Sequence, residues 1–487
     1  MYLKNIDQNL TPLFDAVKKY IDDEVIPFHV PGHKHGKGIP ELMNYLGKRV
    51  LNMDVNGMED LDYFNNPTGV IYESERLLAD AFGAQKAFFL VNGTTSGIQA
   101  MIMSACKPGD KIIIPRNAHK SVIGGIILSG AVPIYVEPEI NEELGIANGI
   151  TVEKIENTIK SHPNVKALFL INPTYYGFTS DIKTIVEIAH SHDILVLVDE
   201  AHGSHMYFHE DFPLTAMKSG ADMSTLSMHK TGGSLTQSSV LMMGNTKISP
   251  DKVKKTLNLI YTSSASYLLM CSLDVARKHM SIKGRELLEN TLQMVRWARD
   301  EINKIEGVYA FGKELVGYPG CFNFDETKLG INVRNLGYTG YEMESKLRKE
   351  YNIQIELADL NNILAIASIG DVKENFEALI NSLKDISDKT KIKPYNKINF
   401  LPKYPDSIVS PREAYYMKKK LVKLSDSEGE IAGEIVMAYP PGIPVICIGE
   451  IITKEIIDYI NILKGENCQL QGTDDPLVDY IKILDIK

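Results

Sequence analysis

KAFFLVNGTTSGIQAMIM, residues 86–103, carries in direct succession an apolar run, a turn rich in glycine and hydroxyls, and a helical pattern. Further apolar runs continue the alternation as far as residue 243: KIIIP (111–115), VPIYV (132–136), VKALFLI (165–171), ILVLVD (194–199) and SVLMM (239–243). The spacing leaves room for a helix between most of them. Such alternation predicts a largely parallel sheet with helices on both faces. Ligands of such sheets sit beyond the carboxyl ends of the strands, so the residues that follow the runs are the candidates for chemistry.

Several of the runs are followed by such residues. The turn NGTTSG (92–97) opens a helix whose first backbone N–H groups lack partners, which makes a phosphate cradle; simple capping by Thr95 or Ser96 is the equal alternative. RNAHKS (116–121) sets His119 near the sheet edge, where alone it reads as a surface or capping histidine. ILVLV ends in Asp199, followed by Glu200, Ala201 and His202. A carboxylate there needs a cation or several donors, and a protonated pyridine nitrogen or an arginine would serve. STLSMHKTGGSLTQSS (224–239) centres on Lys230, with Ser227, Thr231, Gly232, Gly233 and Ser234 as possible anion donors. Taken alone, His-Lys beside glycines is more often an ordinary surface loop. Taken together, a lysine for covalent attachment, an acid for a ring nitrogen, a flat group and an anion nest on one sheet edge meet the needs of pyridoxal phosphate (PLP).

Composition narrows the partners. A formal net charge of -10 on 487 residues argues against general nucleic-acid or anionic-membrane binding and for a small-molecule ligand. Five dispersed cysteines without CxxC spacing read as free thiols in a reducing compartment, and no secretory or membrane-spanning pattern is present, so a cytoplasmic location is expected. Thr11 and Pro12 read as the start of a helix, and FHVPGHKHGKG (28–38) as an ordered loop lining a polar cleft. Neither its histidines, His29, His33 and His35, nor the group His202, His205 and His209 has the spacing of a metal site, and no metal is expected. The length predicts several domains: an N-terminal helix and loop segment (1–75), a large domain (76–305), a small α+β domain (306–390) and a C-terminal domain (391–487). Residues 266–305 read as long helices broken near 282–284, residues 388–406 as a linker, and the prolines at 440 and 441 as a turn between strands.

The motifs FHVPGHKHGKG, NGTTSG, PRNAHKS, INPTYYG, VDEAHG, SMHKTGGSLTQSS and YPPGIPV, in this order over nearly the whole chain, resemble those of the bacterial Orn/Lys/Arg decarboxylases of PLP fold type I, the aspartate-aminotransferase-like fold. The resemblance is greatest to the compact biosynthetic arginine decarboxylases of Gram-positive bacteria. It departs from the large inducible members in having no receiver-like domain ahead of FHVPGHK. It implies that Lys230 carries PLP, Asp199 pairs with the ring nitrogen, and His119 stacks on the ring. Thr95 and Ser96 would hold the phosphate with Ser227 and His229, and His202 would lie beside the cofactor. YTSSASY (261–267) resembles the stretch that reaches a neighbouring subunit's phosphate, so a homodimer or larger homo-oligomer with interfacial active sites is implied.

The implied reaction is loss of CO2 from a basic amino acid, arginine to agmatine for polyamine biosynthesis, with lysine or ornithine as alternative substrates. His229 or a tyrosine is the candidate proton donor. Glu356, Asp359 and Glu434 fall where the family places contacts to the distal cation, or are surface or interface acids. An aminotransferase or lyase keeps the cofactor and changes the reaction, although no matching arginine clamp for the α-carboxylate is found. A PLP-fold binding or regulatory protein without turnover is the rival of another class.

Overall fold

The computed structural model describes residues 6–390, 402–438 and 442–486. By its internal contacts the chain divides into two compact units, one of residues 1–104 and 197–288, the other of residues 105–196 and 289–487. None of the helices among the described residues is long and apolar enough to cross a membrane.

In the first unit the strand Lys86–Leu90 pairs antiparallel with Ser239–Met243, and Ser239–Met243 pairs antiparallel with Met223–Leu226. Met223–Leu226 runs parallel to the end of Leu195–Asp199. The carboxyl ends of Lys86–Leu90, Met223–Leu226 and Leu195–Asp199 therefore point the same way, and Ser239–Met243 alone runs against them. The runs KAFFLV, ILVLVD and SVLMM are all strands, but Met223–Leu226 escapes the sequence reading. Its Ser224 and Thr225 make it look polar, yet both hydroxyls are consumed inside, donating to Glu200 Oε2 (2.6 Å) and to the Val240 carbonyl (3.0 Å).

The helix Pro12–Asp22 begins as Thr11 and Pro12 predict, but not by the expected cap. Thr11 Oγ1 donates to Asp15 instead, and the Leu13 N–H is taken by Ser74 Oγ and by Asp274 Oδ2. Asp274 is held in turn by the fully buried Arg277, whose Nη1 and Nη2 also donate to the carbonyls of Gln8 and Leu10. Residues 266–305 hold one long helix, Tyr267–Ile302, with no break at 282–284. Gly284 is there for space rather than for a turn: a Cβ on it would sit 3.0 Å from Phe208 Cβ. Close packing there outweighs the helix penalty of a glycine, about 1 kcal/mol against alanine.

In the second unit Lys111–Pro115 lies between Val132–Val136 and Val165–Ile171, all parallel, and the helices Lys120–Ser129 and Val152–Ser161 stand in the connections between them. A second sheet, Tyr309–Ala310, Lys328–Asn332, Asn362–Ile366 and Leu357–Ala358, is antiparallel, and the helices Gly340–Glu350 and Lys373–Lys389 complete its core. The predicted linker starts later than read, since Lys373–Lys389 continues through 388 and 389; residues 391–401 lie outside the described residues. Ser410 caps the helix Pro411–Tyr416, its side chain accepting from the Glu413 N–H. The strands Val436–Ala438 and Ile443–Ile446 pair antiparallel on either side of the two prolines, which themselves lie outside the described residues.

At the end of Leu195–Asp199, Glu200 is fully buried. Its Oε2 accepts from Tyr207 Oη and Ser224 Oγ, both at 2.6 Å, and its Oε1 from the Ala216 N–H at 2.8 Å. Burial nevertheless pushes its carboxyl up to about 7, against the lowering effect of these donors. With the folded value above the ordinary carboxylate range, the folded state binds the extra proton between about pH 4.5 and 7, so this group makes stability fall as pH rises through that window, by at most about 3 kcal/mol. Glu200→Gln keeps the acceptor for Ala216, and the two hydroxyls can turn to accept from the amide. The variant is expected to flatten the pH dependence of Tm between pH 5 and 8; a slope equal to that of the wild type would show that Glu200 stays ionised throughout.

Candidate active site

Three chain segments of the first unit build the site. The turn Met228–Thr231 follows Met223–Leu226 directly and carries Lys230. Lys230 Nζ lies 2.8 Å from Nε2 of the buried His202, and the lysine N–H donates when that ring nitrogen is unprotonated. Ser204 Oγ, 2.8 Å from Thr231 Oγ1, ties the His202 segment to the lysine turn. Beside them stands Asp199, 7% exposed. Burial raises its pKa, while the Ala201 N–H on Oδ1 (2.9 Å) and the charge of Lys230 act to lower it. A carboxylate so desolvated gains from a further cationic partner.

The third segment is the start of the helix Gly93–Ala105, 13 residues long. Gly93 has φ +67°, a conformation that favours glycine, and a Cβ on Gly97 would run into Thr225 Oγ1, so the helix start lies against the strand that leads to Lys230. Thr94 Oγ1 comes to 3.3 Å from Ser227 Oγ. Ser96 is buried and its Oγ donates to the Gly93 carbonyl, whereas Thr95 is exposed. Helix N–H groups together with hydroxyls make an anion cradle. Thr94 was missed in the sequence although it lies inside NGTTSG: which of three neighbouring hydroxyls meets Ser227 depends on the helix phase. The donor set suits PLP. Lys230 would carry it, Asp199 would meet its protonated nitrogen, and the cradle would take its phosphate.

His229 is oriented by its Nδ1–H on the Ser238 carbonyl, 2.9 Å away, which sets its tautomer. Four further histidines of this unit are engaged otherwise: His33 Nε2 meets Asp54 at 3.0 Å, His29 meets Tyr20 Oη at 2.5 Å, and the rings of His205 and His209 stand edge-on to Phe212. FHVPGHKHGKG is a loop, as expected.

The other candidates belong to the second unit. His119 caps the helix Lys120–Ser129, its Nδ1 accepting from the Ser121 N–H at 3.2 Å, so the proton of the neutral ring is on Nε2. The half-buried Asp359 accepts from Tyr176 Oη and from the N–H groups of Asn361 and Asn362. Both oxygens of Glu434 are occupied, by the N–H groups of Asp474 and Lys482. Glu356 is exposed. No hydrogen bond or ion pair joins these three acids to one another.

Comparison with known proteins agrees with this geometry. Residues 11–375 match the model of the Orn/Lys/Arg decarboxylase major domain and residues 397–479 that of its C-terminal domain. An arginine decarboxylase of Bacillus subtilis is 44% identical, with 98% of this chain and 99% of that protein covered, and one of Halalkalibacterium halodurans is likewise 44% identical over 98% of each. Among solved structures, the lysine decarboxylase of Francisella novicida superposes with a TM-score of 0.83 at 21% identity, covering 98% of this chain and 81% of that one. An alanine-glyoxylate aminotransferase from Nostoc shares the fold over 69% of this chain and 91% of that one at a TM-score of 0.54 and 17% identity. The fold is thus that of the type I PLP enzymes, a largely parallel sheet covered by helices with a small α+β domain and a C-terminal domain, and the chain belongs to the Orn/Lys/Arg decarboxylase family of PLP-dependent enzymes.

Proposed function

We propose that this enzyme decarboxylates L-arginine to agmatine and CO2, with Lys230 as the residue that carries PLP. The observation that supports it most is Lys230 Nζ at 2.8 Å from His202 Nε2, in a turn beside the desolvated Asp199. Bound PLP supplies an electron sink for the bonding pair left when the Cα–carboxylate bond breaks. The rest is done by side chains. Asp199 would keep the ring nitrogen protonated, the charge state that a buried carboxylate favours in a neighbour. Thr94, Thr95, Ser96 and Ser227, with the first N–H groups of the helix, would hold the phosphate, and His119 is the group proposed to cover the ring. His202 Nε2, 2.8 Å from the Lys230 amine, would accept a proton from it and return it. His229, fixed through Ser238, is the proposed donor of the proton that replaces CO2 on Cα.

Arginine is preferred because the relatives matched end to end at 44% identity carry that name. Its guanidinium needs distal acceptors, for which we propose Glu356, Asp359 and Glu434; Glu356, being exposed, is the most available. We place the enzyme in the cytoplasm, divided at 75/76, 305/306 and 390/391, and working as a homodimer or larger homo-oligomer. In YTSSASY the end residues are anchored, Tyr261 Oη on the Phe89 carbonyl and Tyr267 Oη on that of Asp62, while Thr262, Ser263 and Ser264 between them are exposed. That arrangement supports a role for these hydroxyls toward a neighbouring subunit's phosphate.

Purified protein loaded with PLP should release CO2 and agmatine from arginine, and Lys230→Ala should release neither. Cadaverine from lysine or putrescine from ornithine would keep the reaction and change the substrate, and no amine from any of the three would leave a PLP-binding protein without turnover. Asp199→Ala should lower kcat by about a hundredfold or more while Tm stays within a few degrees of the wild type; a loss of Tm with kcat preserved in the folded fraction would make Asp199 structural.

A further inference from the structure

His119 stands in the short run that leaves the strand Lys111–Pro115, and two anchors bracket it. Three residues before it, Arg116 is buried, and its guanidinium makes a planar fork: Nε to Glu450 Oε1 at 2.9 Å, Nη2 to Glu450 Oε2 at 2.7 Å, and Nη1 to the Pro444 carbonyl at 3.0 Å. Tyr404 lies with its ring centre 4.9 Å from the guanidinium carbon and Tyr135 at 5.7 Å. Glu450 is fully buried too, and its Oε2 also accepts the Cys447 N–H at 2.7 Å. One residue after His119, the Lys120 N–H donates to the Gly442 carbonyl at 3.2 Å. Both anchors come from the segment that matches the family's C-terminal domain.

A buried ion pair is poor value as a stabiliser, since well-packed apolar residues often serve as well. What the bidentate fork adds is direction, because it fixes distance and angle at once. The ring of His119 takes its own direction from the same run, through Ser121. We infer that Glu450 is a positioning residue for His119: acting through Arg116, it lets the C-terminal segment set the run that carries the histidine. This rests on the proposed role of His119 over the cofactor.

The test uses the PLP-loaded enzyme. Glu450→Gln is compared with His119→Ala and with the two combined, reading kcat and KM for arginine and the visible circular dichroism of the bound cofactor. Because a single buried unpaired charge can prevent folding, the variant with both Arg116→Met and Glu450→Met runs in parallel. Either change at the pair is expected to lower kcat about tenfold or more with little effect on KM, to alter the dichroism, and to have no further effect once His119 is alanine. An equal fold-loss in both backgrounds, or an unchanged dichroic band, would overturn the inference and leave the pair structural. His119→Ala with wild-type kcat and dichroism would overturn it as well, by removing the histidine's role, and agmatine formation by the wild type would still uphold the proposed reaction.

Discussion

Two adjacent carboxylates at the end of one buried strand set the terms for the first unit. Glu200 is satisfied entirely by the protein, and its three donors come from separate places: Tyr207 in the turn Ser204–Phe208, Ser224 in the strand Met223–Leu226, and the first residue of the helix Ala216–Ser219. To desolvate that carboxylate at acceptable cost, these elements must meet. Their meeting brings the lysine turn next to the strand end. Asp199, one residue earlier, receives the Ala201 N–H and the field of Lys230, and its pKa stays raised. The two acids differ in their surroundings, Glu200 meeting three donors and Asp199 the Ala201 N–H and the charge of Lys230.

The placement of the helix start Gly93–Ala105 follows from the same packing. A helix start can serve as a cradle only if its backbone can approach closely, and at Gly97 there is no room for a side chain against Thr225. The strand that receives this helix is the one that delivers Ser227 and Lys230, so the helix start and the lysine turn are built on a common support.

Buried arginines do comparable work in both units. Arg277 gathers Asp274 and the carbonyls of Gln8 and Leu10, fixing the N-terminal helix across more than 250 positions of sequence. Arg116 joins Glu450 and the Pro444 carbonyl across 334 and 328 positions. Removing one member of such a pair typically costs about 3–5 kcal/mol, because the other charge is left desolvated. Arginine suits both places: its fork binds several acceptors in one plane and keeps its charge when buried.

Much of this was legible in the amino-acid order. Six apolar runs are strands where the sequence puts them, because a strand buried on both faces, as most of these are, needs a nearly unbroken apolar string, and the residues after three of them supply Asp199, His119 and the glycine turn. What could not be read has a shared cause. Met223–Leu226 looked too polar, since the acceptors of its hydroxyls lie elsewhere in the chain; Gly284 looked like a break, since Phe208 was not visible as its neighbour; and Glu450 and Thr94 carry no local mark. Sequence by itself determined six of the strands and the order of the motifs, all properties of short segments. Only the tertiary structure decided that Thr94 rather than Thr95 meets Ser227, that Glu200 is consumed while Asp199 is not, and that Glu450 grips the run of His119, because each depends on partners brought together from distant positions and on the angle at which they arrive.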